Sequence, residues 1–139
     1  MAAKGVQLGS GRARDYAIRG QSEDGLEGDD RLFVVCRRPA QLVVLDSQSG
    51  KVVANLPVAG DADDLYYDQA HRRIYISGGQ GVISVVDQAN ADHYKVAATI
   101  PTAPGARTSL FVPELMRLYL AVPRRGTHPA EIRVYAVNR

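Results

Sequence analysis

The chain has 139 residues, enough for one domain with a real core. An apolar fraction of 45% and a charged fraction of 23% are ordinary for a globular protein, and a net charge of +2 is too small to argue for nucleic-acid binding. There is no run of about 18 apolar residues, which excludes a transmembrane helix, and the single cysteine, Cys36, excludes an intramolecular disulfide framework.

Residues 1–30 hold six glycines and ten charged residues, so the composition predicts a largely irregular or disordered leader. Basic residues near the start are not followed by a continuous apolar stretch, so nothing there reads as a secretory signal. "DYAIR" is the one segment of the leader that can supply an edge strand.

From Arg31 onward the chain repeats itself. Arg31-Leu32, Arg73-Ile74 and Arg117-Leu118 open similar units at spacings of 42 and 44 residues. Each opener begins a strand: "RLFVVC", "RIYISG" and "RLYLAV", rich in β-branched, aromatic and aliphatic residues. A second strand follows in each unit, "QLVVLD", "GVISVVD" and "EIRVYAV", and a third appears twice, "KVVANLPV" and "KVAATIPT". Strands "DDLYYD" and "TSLFV" precede the second and third openers. "SLFVPELMRLYLAV" has apolar residues at helical spacing, but Pro113 and the repeat register argue against a helix.

Four short antiparallel strands, here called A to D, every 40 to 45 residues are the signature of β-propeller blades. The expected fold is all-β: a partial β-propeller of about two and a half four-stranded antiparallel blades over residues 31–139, which one chain cannot close. Cys36, inside the apolar run "LFVVC", is expected to be a buried structural thiol.

These residues carry a family resemblance. "RLFVVCRRPAQLVVLDSQSGKVVANLPV", "DDLYYDQAHRRIYISGGQGVISVVDQ" and "ARTSLFVPELMRLYLAVP" resemble the YVTN-repeat (YncE-like) β-propeller family over more than three-quarters of the chain. The third unit departs from the pattern by placing Ala136 where the strand-end Asp of the others stands, at Asp46 and Asp87. The resemblance implies a propeller fold and a periplasmic or exported location; family members serve as binding, scaffold and surface proteins. It also suggests that the chain is the C-terminal portion of a longer propeller.

In such a fold the D–A and B–C loops gather on one rim. Arg37 and Arg38, Arg124 and Arg125, Arg107 with Thr108, and Asp61, Asp63 and Asp64 are all expected there. Arginine forks bind carboxylate or phosphate in a bidentate way, so the cluster reads as a shallow site for an anionic ligand or an acidic partner segment. The plainer reading pairs Arg107 with Asp63 or Asp64 of the preceding blade and leaves the other arginines solvated.

"DADD" lacks the spacing of a Ca²⁺ loop, and His71, His93 and His128 have no zinc-ligand spacing, so no metal or cofactor is expected. The histidines read as exposed loop residues, with His71 and His93 on the face opposite His128. "GGQG" joins two strands and is explained as a tight hairpin rather than a phosphate loop. Ser84 and Ser109 stand in no G-x-S-x-G context. Tyr66, Tyr67, Tyr75, Tyr119 and Tyr135 fall on strands, where inter-sheet packing is their expected use.

The sequence therefore supports a non-enzymatic propeller segment acting as a binding or scaffold module, with no catalytic residues. The alternatives are a piece of a lactonase- or hydrolase-like propeller using rim carboxylates and a metal, and a truncated product without activity of its own. An unclosed stack is expected to leave two apolar blade faces bare, favouring self-association or a protein partner, two chains approximating a six-blade ring.

Overall fold

The computed structural model describes residues 16–20 and 31–138. Alternating apolar residues make strands throughout. β1 (Tyr16–Gly20), β2 (Arg31–Arg37), β3 (Ala40–Asp46) and β4 (Val52–Pro57) form the first sheet in that spatial order. β5 (Ala62–Asp68), β6 (Arg73–Gly78), β7 (Val82–Asn90) and β8 (His93–Pro101) form the second, and β9 (Thr108–Val112), β10 (Arg117–Val122) and β11 (Glu131–Ala136) the third. All strand pairs are antiparallel. The segment with helical spacing is β9, a single 3-10 turn at Pro113–Leu115 and β10, with Met116 at φ 51 turning the chain back.

Successive sheets stack like blades. The first strands lie beside one another, β1 by β5 and β5 by β9, and the outer strands β4 and β8 also meet. The protein is all-β, and its described residues form a partial propeller-like stack of three open sheets with four, four and three strands. The first sheet is fuller than the two-and-a-half-blade reading because Tyr16–Gly20 is a strand rather than irregular chain. It pairs with β2 from Tyr16↔Val35 to Gly20↔Arg31. The apolar β2 needs a partner on its inner edge, since unpaired buried backbone groups are costly. The rest of the leader lies outside the described residues.

Two hydrophobic layers hold the stack. Phe33, Val35, Leu42 and Val44 of the first sheet meet Leu65, Ile74, Ile76 and Val86 of the second. Tyr75 and Ile83 of the second meet Phe111, Leu118, Leu120 and Val122 of the third. A fully buried side chain of this kind contributes about 1.5–3 kcal/mol, so these layers are the main cohesion between blades. Aromatic contacts span both: Phe33 stacks on Tyr67 with centroids 5.3 Å apart, and Tyr75 meets Phe111 edge-on at 5.2 Å.

The repeat register gives each face a direction. Phe33 and Tyr75 occupy the same position after their openers, and each points forward into the next sheet. Ile74 and Ile76, which flank Tyr75, and Leu118 and Leu120 of the third sheet point back. On the back face of the first sheet Val34, Cys36, Val43 and Leu45 form a third buried cluster. The expectation of two bare end faces therefore holds only at the forward face of the third sheet, where Leu110, Ile132 and Val134 are exposed.

Candidate functional site

The rim residues sit where β2 ends, where β5 and β9 begin, and in the β2–β3, β6–β7 and β10–β11 turns. Side chains alternate along a strand, so the consecutive carboxylates of β5 face opposite neighbours. Asp63 points to the first sheet, where it takes an ion pair from Arg37. Asp64 points to the third and accepts the backbone N–H of Ser109 at 2.8 Å. Burial pushes the Asp64 carboxyl above its ordinary value, opposed by that hydrogen bond. On the same face the Tyr66 hydroxyl donates to the Ser109 carbonyl at 2.7 Å, and the Ser77 and Ser109 hydroxyls lie 2.6 Å apart.

The partner of Arg107 is neither Asp63 nor Asp64 but Asp61. Arg107 donates to Asp61 Oδ2 from Nη2 at 2.5 Å and from Nε at 3.0 Å. The physical reason is backbone placement. Asp61 stands just before β5 in the left-handed region, φ 55, and its carbonyl accepts the Gly79 N–H at 2.8 Å. That holds its carboxylate level with the "GGQG" turn, between the first and third sheets. Arg37 Nη1 reaches Asp61 Oδ1 at 3.5 Å, and Arg37 Nε donates to the Ala62 carbonyl at 3.0 Å. Asp61 thus joins Arg37 of the first sheet to Arg107 of the third across the loop of the second.

The "GGQG" turn is more than a hairpin. Gly79 donates to Asp61 O, Gln80 to Gly60 O at 3.2 Å, and Gly105 donates to Gly79 O at 2.7 Å. Gln80 Oε1 accepts the Gly60 N–H at 2.9 Å. The turn is wedged between the two D–A loops, and a Cβ on Gly78 would come within 2.4 Å of the Gly60 carbonyl. Glycine is required there by close approach, a need that sequence alone does not separate from a tight turn.

Arg38, Thr108, Arg124 and Arg125 are exposed and stand apart from this network. Arg125 and His128 close the β10–β11 turn through paired backbone hydrogen bonds of 2.9 and 3.0 Å, with Gly126 at φ 57. The structure therefore brings together Arg37, Asp61, Asp63 and Arg107, and leaves Arg38, Arg124 and Arg125 as separate cations. Among the described residues no three His, Cys, Asp or Glu side chains are grouped as metal ligands. No helix is long and apolar enough to cross a membrane among those residues.

A second polar cluster lies at the other end of the second sheet's strands, at the β5–β6 turn and the β7–β8 hairpin. His71 is not a solvated loop residue: its Nδ1 meets Asp68 Oδ2 at 2.7 Å, and Asp68 also accepts the Tyr75 hydroxyl at 2.7 Å. His71 and His93 line one groove there with Arg72, Arg73 and Lys95. The signal available in the sequence was the pair "HRR" and "HYK", which fall in the A–B turn and at the start of the D strand of one blade. No described protein family matches this sequence, and no curated protein matches it either.

Proposed function

We propose that the chain is a non-enzymatic propeller-repeat module of the YVTN type that works by docking, and that its forward face on the third sheet receives a second copy of the chain. One observation carries this reading: Leu110, Ile132 and Val134 are 55%, 63% and 55% exposed on that face. In the first two sheets the matching forward face is buried against the next sheet. An apolar sheet face of this kind is a surface for a partner.

The occupant follows from the other end of the stack. Val34, Cys36, Val43 and Leu45 on the first sheet's back face are already buried. A head-to-tail ring of two chains requires that face to be open, so the arrangement that fits is two-fold, third sheet against third sheet. A small anion on the rim is the lesser reading, because Arg37 and Arg107 are engaged by Asp61 and Asp63. A metal hydrolase has less support still, since those carboxylates and Asp64 are committed to the arginines and to the Ser109 N–H.

Sedimentation equilibrium across a concentration series tests the proposal. A monomer–dimer equilibrium is expected, abolished in Ile132→Lys/Val134→Lys with circular dichroism unchanged. A wild-type monomer at every concentration, or association that continues past the dimer, overturns it.

A further inference from the structure

We infer that the groove on the A–B and C–D turn face of the second sheet is a binding site for a phosphate-bearing anion. The groove has a volume of about 530 Å³ and lies between the β5–β6 turn and the β7–β8 hairpin. That volume is within the range of roughly 300–1,000 Å³ usual for small-molecule sites. It is separate from the rim and from the third sheet's open face.

Its lining carries more cationic side chains than carboxylates. Arg72, Arg73 and Lys95 line it with His71 and His93; the lining carboxylate is Asp87, and Asp68 stands behind His71. Asp87 is taken by Arg73 Nε at 3.2 Å. The imidazoles are oriented from behind: His71 Nδ1 is held by Asp68, and His93 Nδ1 by Asn90 Oδ1 at 2.8 Å. With Nδ1 of each ring donating to its oxygen partner, Nε2 donates to an anion when the ring carries both protons.

The floor is built rather than incidental. Tyr67 donates to Gln88 Oε1 at 2.6 Å, Gln88 Nε2 donates to the Tyr94 hydroxyl at 2.9 Å, and Tyr94 donates to the Ala91 carbonyl at 2.8 Å. Cationic and imidazole groups therefore converge from two separate turns on one fixed cavity. A planar carboxylate is satisfied by a single guanidinium fork, whereas a tetrahedral phosphate presents oxygens in several directions and suits donors on opposing walls.

Calorimetric titration of the full chain with inorganic pyrophosphate, repeated with Lys95→Ala, His93→Ala and the rim variant Arg124→Ala/Arg125→Ala, tests the assignment. Saturable binding is expected, weakened about tenfold by Lys95→Ala, the loss of one charge-assisted hydrogen bond, weakened less by His93→Ala, and unchanged by the rim pair. Lys95 and His93 are exposed, so both variants are expected to fold. Absence of saturable binding, or equal weakening by groove and rim variants as diffuse charge attraction produces, overturns it.

Discussion

Arg31, the first residue of β2, reaches out of its own sheet and donates from Nη2 to Asp92 Oδ1 in the second sheet's hairpin at 2.7 Å. Its Nε donates to the Ala91 carbonyl at 2.9 Å, and its Nη1 lies 3.2 Å from Asp46 of its own sheet. Arg73 repeats the device: Nε pairs with Asp87 at 3.2 Å and Nη1 donates to the Asn138 carbonyl beyond β11. The opener arginine with the strand-end Asp is thus a latch from each blade to the next. Arg117, with Ala136 opposite it in register, donates instead to the carbonyls of Leu115 and Met116.

Arg31→Met is expected to destabilise the protein by about 2 kcal/mol, because a buried charged donor that joins the first sheet to the second is lost. Arg31→Lys is expected to recover little of this, since an ammonium cannot reproduce the fork. Arg117→Met, at an exposed position, is expected to stay within about 0.5 kcal/mol of wild type. Urea midpoints of the three variants check the order, and equal midpoints for Arg31→Met and Arg117→Met contradict the latch.

Gly78→Ala is expected to be worse than Gly79→Ala. At Gly78 the new methyl meets backbone, the Gly60 carbonyl at 2.4 Å, and Ala59 Cβ at 2.7 Å. At Gly79 it meets only side-chain ends, Asp61 Oδ2 at 2.1 Å and Arg107 Nη2 at 2.8 Å, which can swing away. Overpacking costs about 1–3 kcal/mol, and Gly78→Ala belongs at the upper end. Thermal melts decide the order.

Asp61 couples two sheets that do not share a strand pair. Because these groups are partly exposed, each ion pair is worth about 1 kcal/mol or less. Arg107→Ala is therefore expected to lower stability slightly. In a double-mutant cycle with Asp61→Asn the coupling energy should be measurable, while a cycle of Arg107→Ala with Asp63→Asn should give none.

Two ionisable groups contribute to the pH dependence of stability at opposite ends of the range. Asp46 accepts the N–H groups of Ser49 at 2.8 Å and Gln48 at 2.9 Å, which hold its carboxyl below the usual carboxylate range, with Arg31 assisting. A depressed carboxyl stabilises above its ordinary value near 4 and loses that contribution as pH falls through its folded value. Asp46→Asn should flatten the acid limb of the stability profile.

Burial pushes the Tyr94 phenol up to about 12. Its contribution is intact below about pH 10 and is lost from there to about pH 12, where the unfolded chain ionises and the folded chain does not. Tyr94→Phe should remove that part of the alkaline slope in denaturant titrations, and an unchanged slope contradicts the assignment.

The repeat was legible in the sequence because it is local chemistry. "RLFVVC" and "RIYISG" are strands by composition, "DSQSG" is a turn because Asp46 caps it and Gly50 takes φ 73, and a four-strand period means stacked blades. Those features rest on neighbours a few residues apart, and the residue order determines them. Three-dimensional placement alone decided the partners across sheets. Asp61, not Asp63 or Asp64, meets Arg107, because a left-handed residue and a bulge at the start of β5 reset the alternation. It decided that Arg31 latches the first sheet to the second, and that His71, His93 and Lys95 share one groove. Electrostatic partners depend on distances of a few ångströms between segments up to about sixty residues apart, such as Arg31 and Asp92, and no spacing along the chain encodes those.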